Sequence, residues 1–278
     1  MVTYKEICAM LDNAGIPNAE GEAGLLLAHF CGVSAAQLPF RKNEVFENDA
    51  LERALARRLQ REPLQYLLGE WEFFGMPFEV NPDCLIPRAD TELLVEYAIK
   101  MLPRGARFAD FCTGSGCIAA TVLANRPDTC ATLVDAFPKT LTLAQRNCEN
   151  NGVAGRAIFV LRDLLLPLQN AFDEKFDCIL SNPPYIPTEV VKGLAPELAH
   201  EPQVALDGGA DGLIFYRHFI EQSRHLLTPN GFWLFEIGYD QQDALMQLAA
   251  QNGFACEVHK DLGGNPRVAY VYPKTNPS

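Results

Sequence analysis

Arg107–Cys117 reads RFADFCTGSGC: a short apolar run with the composition of a buried strand, a turn holding two glycines, and the start of the helical segment GCIAATVLAN. Gly114 and Gly116 permit a tight turn and a close approach of backbone to a ligand at the N-terminus of that helix. With Ala119 they satisfy G-x-G-x-x-[GA], so a dinucleotide is one occupant to weigh and a purely structural turn is another. Outward from this point the chain alternates between strand and helix. Strands are expected at RFADF, ATLVDA, AIFVL, FDCIL, FWLFEIG, ACEVH and VAYVY, with helices such as TLTLAQRNCEN between most of them. That alternation is the pattern of an open, mostly parallel α/β sheet. The last two strands are joined only by KDLGGNPR, too short for a parallel crossover, so the final strand is expected to run antiparallel to its neighbour. Seven strands ending in a reversal are an unusual pattern for a nicotinamide dehydrogenase.

Ahead of this domain the sequence changes character. Thr3 and Glu6 form a capping box, Asn18 opens a second helix through LLLAHF, and Ser34 opens a short third. Asn48 or Asp49 starts another, with Leu51, Leu55 and Leu59 on one face. No catalytic constellation falls in this region. Its arginines, Arg53, Arg57, Arg58 and Arg61, are read as a solvated helix face. EWEFFGMPFEV then has two aromatic-rich runs around Gly75 and Met76, a hairpin signal. LIPRADTE follows, with Asp90 and Thr91 expected to cap a helix and Arg88 either lining a pocket or pairing with an acid.

Composition narrows the function classes. The formal net charge of −12, from 23 Lys and Arg against 35 Asp and Glu, argues against nonspecific wrapping of nucleic acid, which rests on phosphate neutralisation. Nine cysteines with no CxxC pair and no Cys/His cluster predict neither a metal site nor a disulfide framework and suit a reducing compartment. No apolar run reaches the length of a membrane span, and MVTYKEICAMLDNAG is read as a helix start rather than a signal peptide. A cytoplasmic protein is expected.

Four elements carry the chemistry. The glycine turn is the first. Asp135, nineteen residues after Gly116 and at the end of ATLVDA, can accept hydrogen bonds from two ribose hydroxyls. Asp163, closing FVLRDL, is either an adenine-recognising acid or an ordinary strand-end aspartate, and Leu164 beside it could pack on an adenine face. The fourth is SNPPYIP, Ser181–Pro187, directly after FDCIL. Neither proline can donate to a ladder, so the strand must stop there. The Asn182 side-chain oxygen and the Pro183 carbonyl can both accept from a planar NH2 group, and the Tyr185 ring can stack on its π face. Hydride transfer has no use for such a clamp; methylation of an amide or exocyclic amine does. An amide nitrogen is a poor nucleophile because its lone pair is delocalised, and two acceptors orient it and favour the positive charge that develops there.

Together DFCTGSGC, Asp135 and NPPY resemble a class I S-adenosylmethionine (SAM) methyltransferase of the amino-group type. LQYLLGEWEF, LIPRADTE, EPQVALDGGADGL and DLGGNPR resemble the protein-(glutamine-N5) methyltransferases of class I peptide-chain release factors, the PrmC or HemK family. The likeness covers nearly the whole chain. It implies a small substrate-docking helical bundle at residues 1–69, a β-hairpin linker at 70–86 and a Rossmann-like catalytic domain at 87–278. It implies SAM as cofactor and S-adenosylhomocysteine (SAH) as product. Cys112, Thr113, Gly114, Ser115, Gly116, Asp135, Asp163, Leu164 and Asn182 are then the cofactor residues. Asn182, Pro183 and Tyr185 are the catalytic ones, with Pro184 also against the substrate. The implied partner is a class I release factor, bound by a monomer with no stable nucleic acid. Two positions depart from the pattern: Cys112 stands where glycine is common, as in the sister family that methylates a ribosomal-protein glutamine, and Leu164 where an aromatic is common. Ribosomal-protein methylation, amino-methylation of a nucleic-acid base and a non-catalytic nucleotide-binding module are the alternatives.

Overall fold

The computed structural model describes residues 1–274, apart from the side chains of Ser223 and Arg224. The chain divides into two compact units, one formed by Met1–Glu70 with Ala195–His200 and the other by Trp71–Leu194 with Glu201 onward.

In the first unit a short strand β1 (Val2–Thr3) leads into α1 (Tyr4–Asn13), followed by α2 (Ala19–Cys31), β2 (Val45–Phe46), α3 (Asp49–Leu59) and α4 (Leu64–Leu68). The capping box is present: Thr3 Oγ1 accepts from the Glu6 N–H at 3.2 Å and Glu6 accepts from the Thr3 N–H at 2.8 Å. Asn48 caps α3, accepting from the N–H groups of Ala50 and Leu51. Ile7, Leu11, Leu26, Leu27, Leu51 and Leu55 form the core. Three expectations are corrected. Ser34 opens no α-helix; Gln37 binds its N–H through the side chain, and only a single 3₁₀ turn, Leu38–Phe40, follows around Pro39. The unit also holds a two-stranded antiparallel pair, β1 with β2, too short to leave a period in the sequence. Finally, Arg58 is not on a solvated face. It is 3% exposed, on the same helix side as Leu51, Ala54 and Leu55, because seven residues make two helical turns. Its guanidinium bonds Glu22 at 2.6 and 3.0 Å and Glu197 at 3.2 Å.

In the second unit the hairpin of β3 (Glu70–Phe73) and β4 (Met76–Glu79) turns at Phe74 and Gly75, both at positive φ as a two-residue hairpin turn requires. Its Phe73 and Phe78 join the core of the sheet that follows. The elements are then α5 (Glu92–Met101), β5 (Arg107–Phe111), α6 (Cys117–Asn125), β6 (Cys130–Asp135), α7 (Pro138–Asn150), β7 (Ala157–Leu161), β8 (Phe176–Ser181), α8 (Thr188–Val191), α9 (Ile214–Leu226), β9 (Leu227–Glu236), α10 (Gln242–Gln251), β10 (Phe254–Lys260) and β11 (Pro266–Pro273). The expected seven-stranded sheet has the order β10-β11-β9-β8-β5-β6-β7. The pairs from β9 through β7 are parallel, and β11 inserts antiparallel to both β9 and β10. Strand β9 begins earlier than FWLFEIG suggests, because Leu227 already pairs with Phe176.

Alternation along the strands divides two apolar layers. Phe108, Leu133, Leu180 and Leu234 face α5, α6 and α7, whereas Ala109, Phe111, Ile179, Trp233 and Phe235 face α9 and α10. Strand order reverses between β5 and β8, so the segments leaving their C-terminal ends diverge and open a crevice there, the usual ligand position in such sheets. The LIPRADTE turn contributes a further correction. Ala89–Thr91 is a 3₁₀ turn and Thr91 precedes α5 with helical backbone angles, so its hydroxyl caps nothing. It is directed into the crevice region.

Removing the Arg58 guanidinium should take the ion-pair partner from the partly buried Glu22 carboxylate and leave Glu197 to Arg61. Arg58→Ala is therefore expected to destabilise that unit by roughly 1.5–3 kcal/mol in urea denaturation, the range for hydrogen bonds to a charged group. Amide exchange over Ala195–His200, which holds Glu197, should accelerate with it.

Candidate active site

The crevice is a cavity of about 950 Å³, lined by residues of the second unit. Its floor is the turn between β5 and α6. Asp110 is fully buried in β5, and its Oδ2 accepts from the Thr113 hydroxyl at 2.7 Å and the Ala119 N–H at 3.3 Å. One carboxylate thus ties the turn to the first turn of α6. Between these points the backbone is left-handed at Cys112, Gly114 and Gly116. Cys112 bears a side chain in that conformation, at a cost of about 1 kcal/mol relative to glycine. A Cβ on Gly116 would lie 3.1 Å from that of Ala144, so this glycine serves close packing of the turn on α7.

Asp135, at the end of β6, faces the same turn. Its Oδ2 accepts from the Gly114 N–H and its Oδ1 from the Phe137 N–H, each at 3.1 Å. Burial still raises its pKa against these bonds. Burial lifts Asp110 further, to about 7, and its Oδ1 has no partner among the described residues. Cys112 and Cys117 also line this region, and burial pushes both thiols up, Cys117 to about 12. They stay protonated at neutral pH and are poor nucleophiles.

The opposite wall begins where β8 ends. Ser181 Oγ donates to the Phe111 carbonyl at 2.7 Å, holding the ends of β5 and β8 together. Asn182 follows, and its Nδ2 donates to Thr91 Oγ1 at 3.2 Å. The amide oxygen is the atom this leaves for a ligand. Behind it, the Tyr185 hydroxyl donates to Glu236 Oε1 at 3.3 Å, and Gln241 Nε2 donates to the Tyr185 carbonyl at 3.0 Å and the Gly212 carbonyl at 3.1 Å. Gly208 and Gly212 press on the same segment: a Cβ would come within 2.7 Å of Tyr185 Cα at the first and 2.3 Å of Tyr185 O at the second. Two of the three glycines of LDGGADG, Gly208 and Gly212, are thus required by contact with NPPY. The segment between Pro187 and Gly212 is also bonded back, through Ile186 N–H to Leu206 O, Gly208 N–H to Ile186 O and Thr188 Oγ1 to Asp207.

Of the residues the sequence marks out, Cys112, Thr113, Gly114, Ser115, Asp135, Asp163, Leu164, Asn182 and Pro184 line the cavity. Gly116, Pro183 and Tyr185 adjoin lining residues in the chain without lining it themselves. Arg88 meets both of its expectations, lining the cavity and pairing with the buried Glu201, which also accepts from the Ile86 N–H. Sequence reading missed Thr91, Phe137 and Leu165 in the lining and Glu236 behind it. The one available signal for Glu236 was an acid in the apolar strand FWLFEIG. The arrangement can hold a ligand with hydroxyls at Asp135 and a flat apolar part near Phe137, Leu164 and Leu165. It presents an amide oxygen to a neighbouring donor.

Asp110 gives a stability test. Its pKa rises from 3.8 to about 7 on folding, so the folded protein holds a proton that the unfolded chain releases across that window. Stability contributed by this group is therefore lost as pH rises from about 4 to about 7. In Asp110→Asn the urea midpoint should fall less over that range than in the wild type. Glu236 and Asp135 keep their slopes and His259 opposes them in both proteins, so the difference isolates Asp110.

Comparison with known proteins agrees with this geometry. A family model described as the PrmC N-terminal domain matches residues 3–69, and one described as the methyltransferase small domain matches residues 89–243. A release factor glutamine methyltransferase of Geobacter sulfurreducens is 38% identical over 263 residues, covering 93% of this chain and 91% of its own. One from Moorella thermoacetica is 38% identical over 274 residues, 96% of each chain. A solved methyltransferase structure from Pyrococcus furiosus superposes with a TM-score of 0.52 over 72% of this chain and 89% of that one, and at 17% identity speaks for the fold alone. With both models matched and relatives aligned along almost their entire length, the chain belongs to the release factor glutamine methyltransferase family.

Proposed function

We propose that this methyltransferase transfers a methyl group from SAM to N5 of the glutamine in the Gly-Gly-Gln loop of class I release factors, leaving SAH. The observation that carries this is the Asn182 amide, whose NH2 is engaged by Thr91 so that its oxygen is left to accept from a substrate NH2. SAM supplies an electrophilic methyl group on a sulfonium. The cavity suits it by size and by donor set: Asp135 for the ribose, Asp163 and Leu164 for the adenine, and the Cys112–Gly116 turn for the remainder.

The chain's own residues then do the positioning. Asn182 Oδ1 and the Pro183 carbonyl accept the two N–H hydrogens, which directs the nitrogen lone pair toward the methyl and stabilises charge as it develops. Tyr185, anchored through its hydroxyl and its carbonyl, keeps this corner rigid. The alkylated nitrogen sheds its proton without a strong base. Residues 1–69 serve as the docking surface for the protein substrate and 70–86 as the linker, since the first carry no candidate catalytic residue. The enzyme acts as a cytoplasmic monomer; among the described residues no helix is long and apolar enough to cross a membrane.

Two variants separate binding from transfer. Asp135→Ala should weaken SAH binding by roughly 1.5–3 kcal/mol in calorimetry, the range for hydrogen bonds to a charged acceptor. Asn182→Ala should slow single-turnover methylation by roughly 10²–10³, as for loss of one preorganised contact at a reacting group, while SAH affinity changes far less. Unchanged values in folded variants would remove these assignments.

Substrate class is decided by competition. A release factor, a ribosomal protein with its modifiable glutamine, duplex DNA and single-stranded RNA are offered together with labelled SAM, and the methyl is located by mass spectrometry. The expected product is methylation on the Gly-Gly-Gln glutamine. A flexible loop can thread into the cavity, whereas flipping a duplex base costs a few kcal/mol that an acidic protein has little phosphate attraction to offset. Methyl on the ribosomal protein alone would make Cys112 the better guide to the substrate, and methyl on a base would overturn the class.

A further inference from the structure

We propose that Arg88 binds the carboxylate of the methionine moiety of SAM, and that the buried Glu201 positions the Arg88 guanidinium for that contact. This rests on SAM occupying the cavity with its ribose at Asp135 and its methyl facing Asn182.

SAM carries a carboxylate at one end, and most of the charge that lines the cavity repels it. Asp83, Asp135, Asp163 and Asp207 are all in the lining. A carboxylate brought in beside them loses its water and needs a cationic hydrogen-bond donor in exchange. Among the described residues that line the cavity, only Arg88 and Lys139 are cationic. Lys139 lies in the first turn of α7, with its side chain 81% exposed and its ammonium 3.7 Å from Asp83. The Arg88 side chain is the more enclosed, at 36%.

The order of the sheet fixes where that carboxylate ends up. Across the cavity lie Asp163 after β7, Asp135 at the end of β6, the turn after β5, and Asn182 after β8. With adenine at the first, ribose at the second and the methyl facing the last, the methionine moiety extends over the β5 turn toward the β8 side. Residues 82–91 run in the same direction. The Asp83 carbonyl accepts from Thr140 Oγ1 of α7, the helix after β6, at 2.7 Å, whereas Thr91 Oγ1 accepts from Asn182 at 3.2 Å. Arg88, three residues before Thr91, is therefore on the β8 side, and Lys139 is on the ribose side.

The guanidinium is held in place and still has hydrogens to donate. Glu201 is 4% exposed; its Oε2 accepts from the Ile86 N–H at 3.1 Å and its Oε1 pairs with Arg88 Nη2. A buried carboxylate tied to the backbone two residues before the arginine directs that side chain before a ligand arrives, which lowers the ordering cost of binding. Arg88 has no other hydrogen-bond partner among the described residues. Its remaining N–H groups are left for a ligand, in a planar fork that matches both oxygens of a carboxylate.

The test is calorimetry with two ligands, SAH and its decarboxylated analogue, which keeps the adenosine, the sulfur and the amine and lacks only the carboxylate. Wild type should bind SAH about ten- to a hundredfold more tightly than the analogue, the scale of hydrogen bonds to a charged group. Arg88→Met alone would leave the Glu201 carboxylate buried without its cation. It is therefore combined with Glu201→Gln, whose amide oxygen can still accept from the Ile86 N–H. In this double variant SAH should fall to about the affinity of the analogue, while the analogue stays within about twofold of its wild-type affinity. An undiminished preference for SAH overturns the proposal. Should the double variant bind neither ligand, Arg88→Gln decides, because it can still donate to Glu201 but carries no charge. The preference for SAH should then shrink by at least about threefold, and a wild-type preference overturns the proposal equally. Asp135→Ala checks the site itself and should weaken both ligands alike. If it weakens neither, SAM does not occupy the cavity in this way and the inference falls with that reading. Weakening in Asp135→Ala beside an intact preference in the Arg88 variants removes the role of Arg88 alone.

Discussion

Pro183 and Pro184 take two consecutive backbone donors out of the chain where β8 leaves the sheet, and much of the surrounding structure answers that constraint. A segment that cannot donate to a ladder has to be held by other groups. Ser181 fastens its start to β5 through the Phe111 carbonyl. Gln241 takes the Tyr185 carbonyl, and Gly208 and Gly212 bring another stretch of backbone into contact that any side chain would block. The result is a firmly held corner at which Asn182, bonded through its Nδ2 to Thr91, lines the cavity. Preorganisation of this kind is what an amide nucleophile needs, because little of its own reactivity is available.

The same corner concentrates buried acids. Asp110, Asp135 and Glu236 all have pKa values raised by burial, and each is partly offset by hydrogen bonds from neighbours. Such groups oppose stability at neutral pH, so their presence needs a reason beyond folding. Asp110 organises the glycine turn and Asp135 presents its carboxylate beside it. Glu236 accepts from the Tyr185 hydroxyl at the end of β9. Stability given up here is recovered in the two apolar layers of the sheet; in the one facing α9 and α10, Phe219 and Phe235 each stack on Trp233 and Phe111 meets Phe219 edge-on.

The helical unit follows different rules. Its centre is an arginine, Arg58, satisfied by two glutamates from distant parts of the chain. One of them, Glu197, lies in the six residues that leave the catalytic portion and return to it at Glu201. Glu201 in turn holds Arg88 and the Ile86 N–H. Covalent continuity alone therefore places an ion pair of the first unit four residues from an ion pair that borders the cavity.

What consecutive residues could specify was legible without coordinates. The strand and helix alternation, the reversal after KDLGGNPR, the glycine turn and the stop at NPPY all follow from local periodicity, turn chemistry and missing donors, and Asp135 follows from its spacing along one βαβ unit. The N-terminal helices were legible in the same way, from the Thr3 and Glu6 capping box and the starts at Asn18 and Asn48. The structure alone decided what depends on side chains meeting across long separations. Thr91 reads as a helix cap because its sequence neighbours make it one, yet its hydroxyl faces an asparagine 91 positions away. Glu236 reads as an interruption in an apolar strand until Tyr185, 51 positions away, is seen donating to it. Arg58 reads as solvated because charge runs usually are, while its helix turns it inward to Glu22 and Glu197. Periodicity reports which face a residue occupies; only packing supplies the partner waiting on that face.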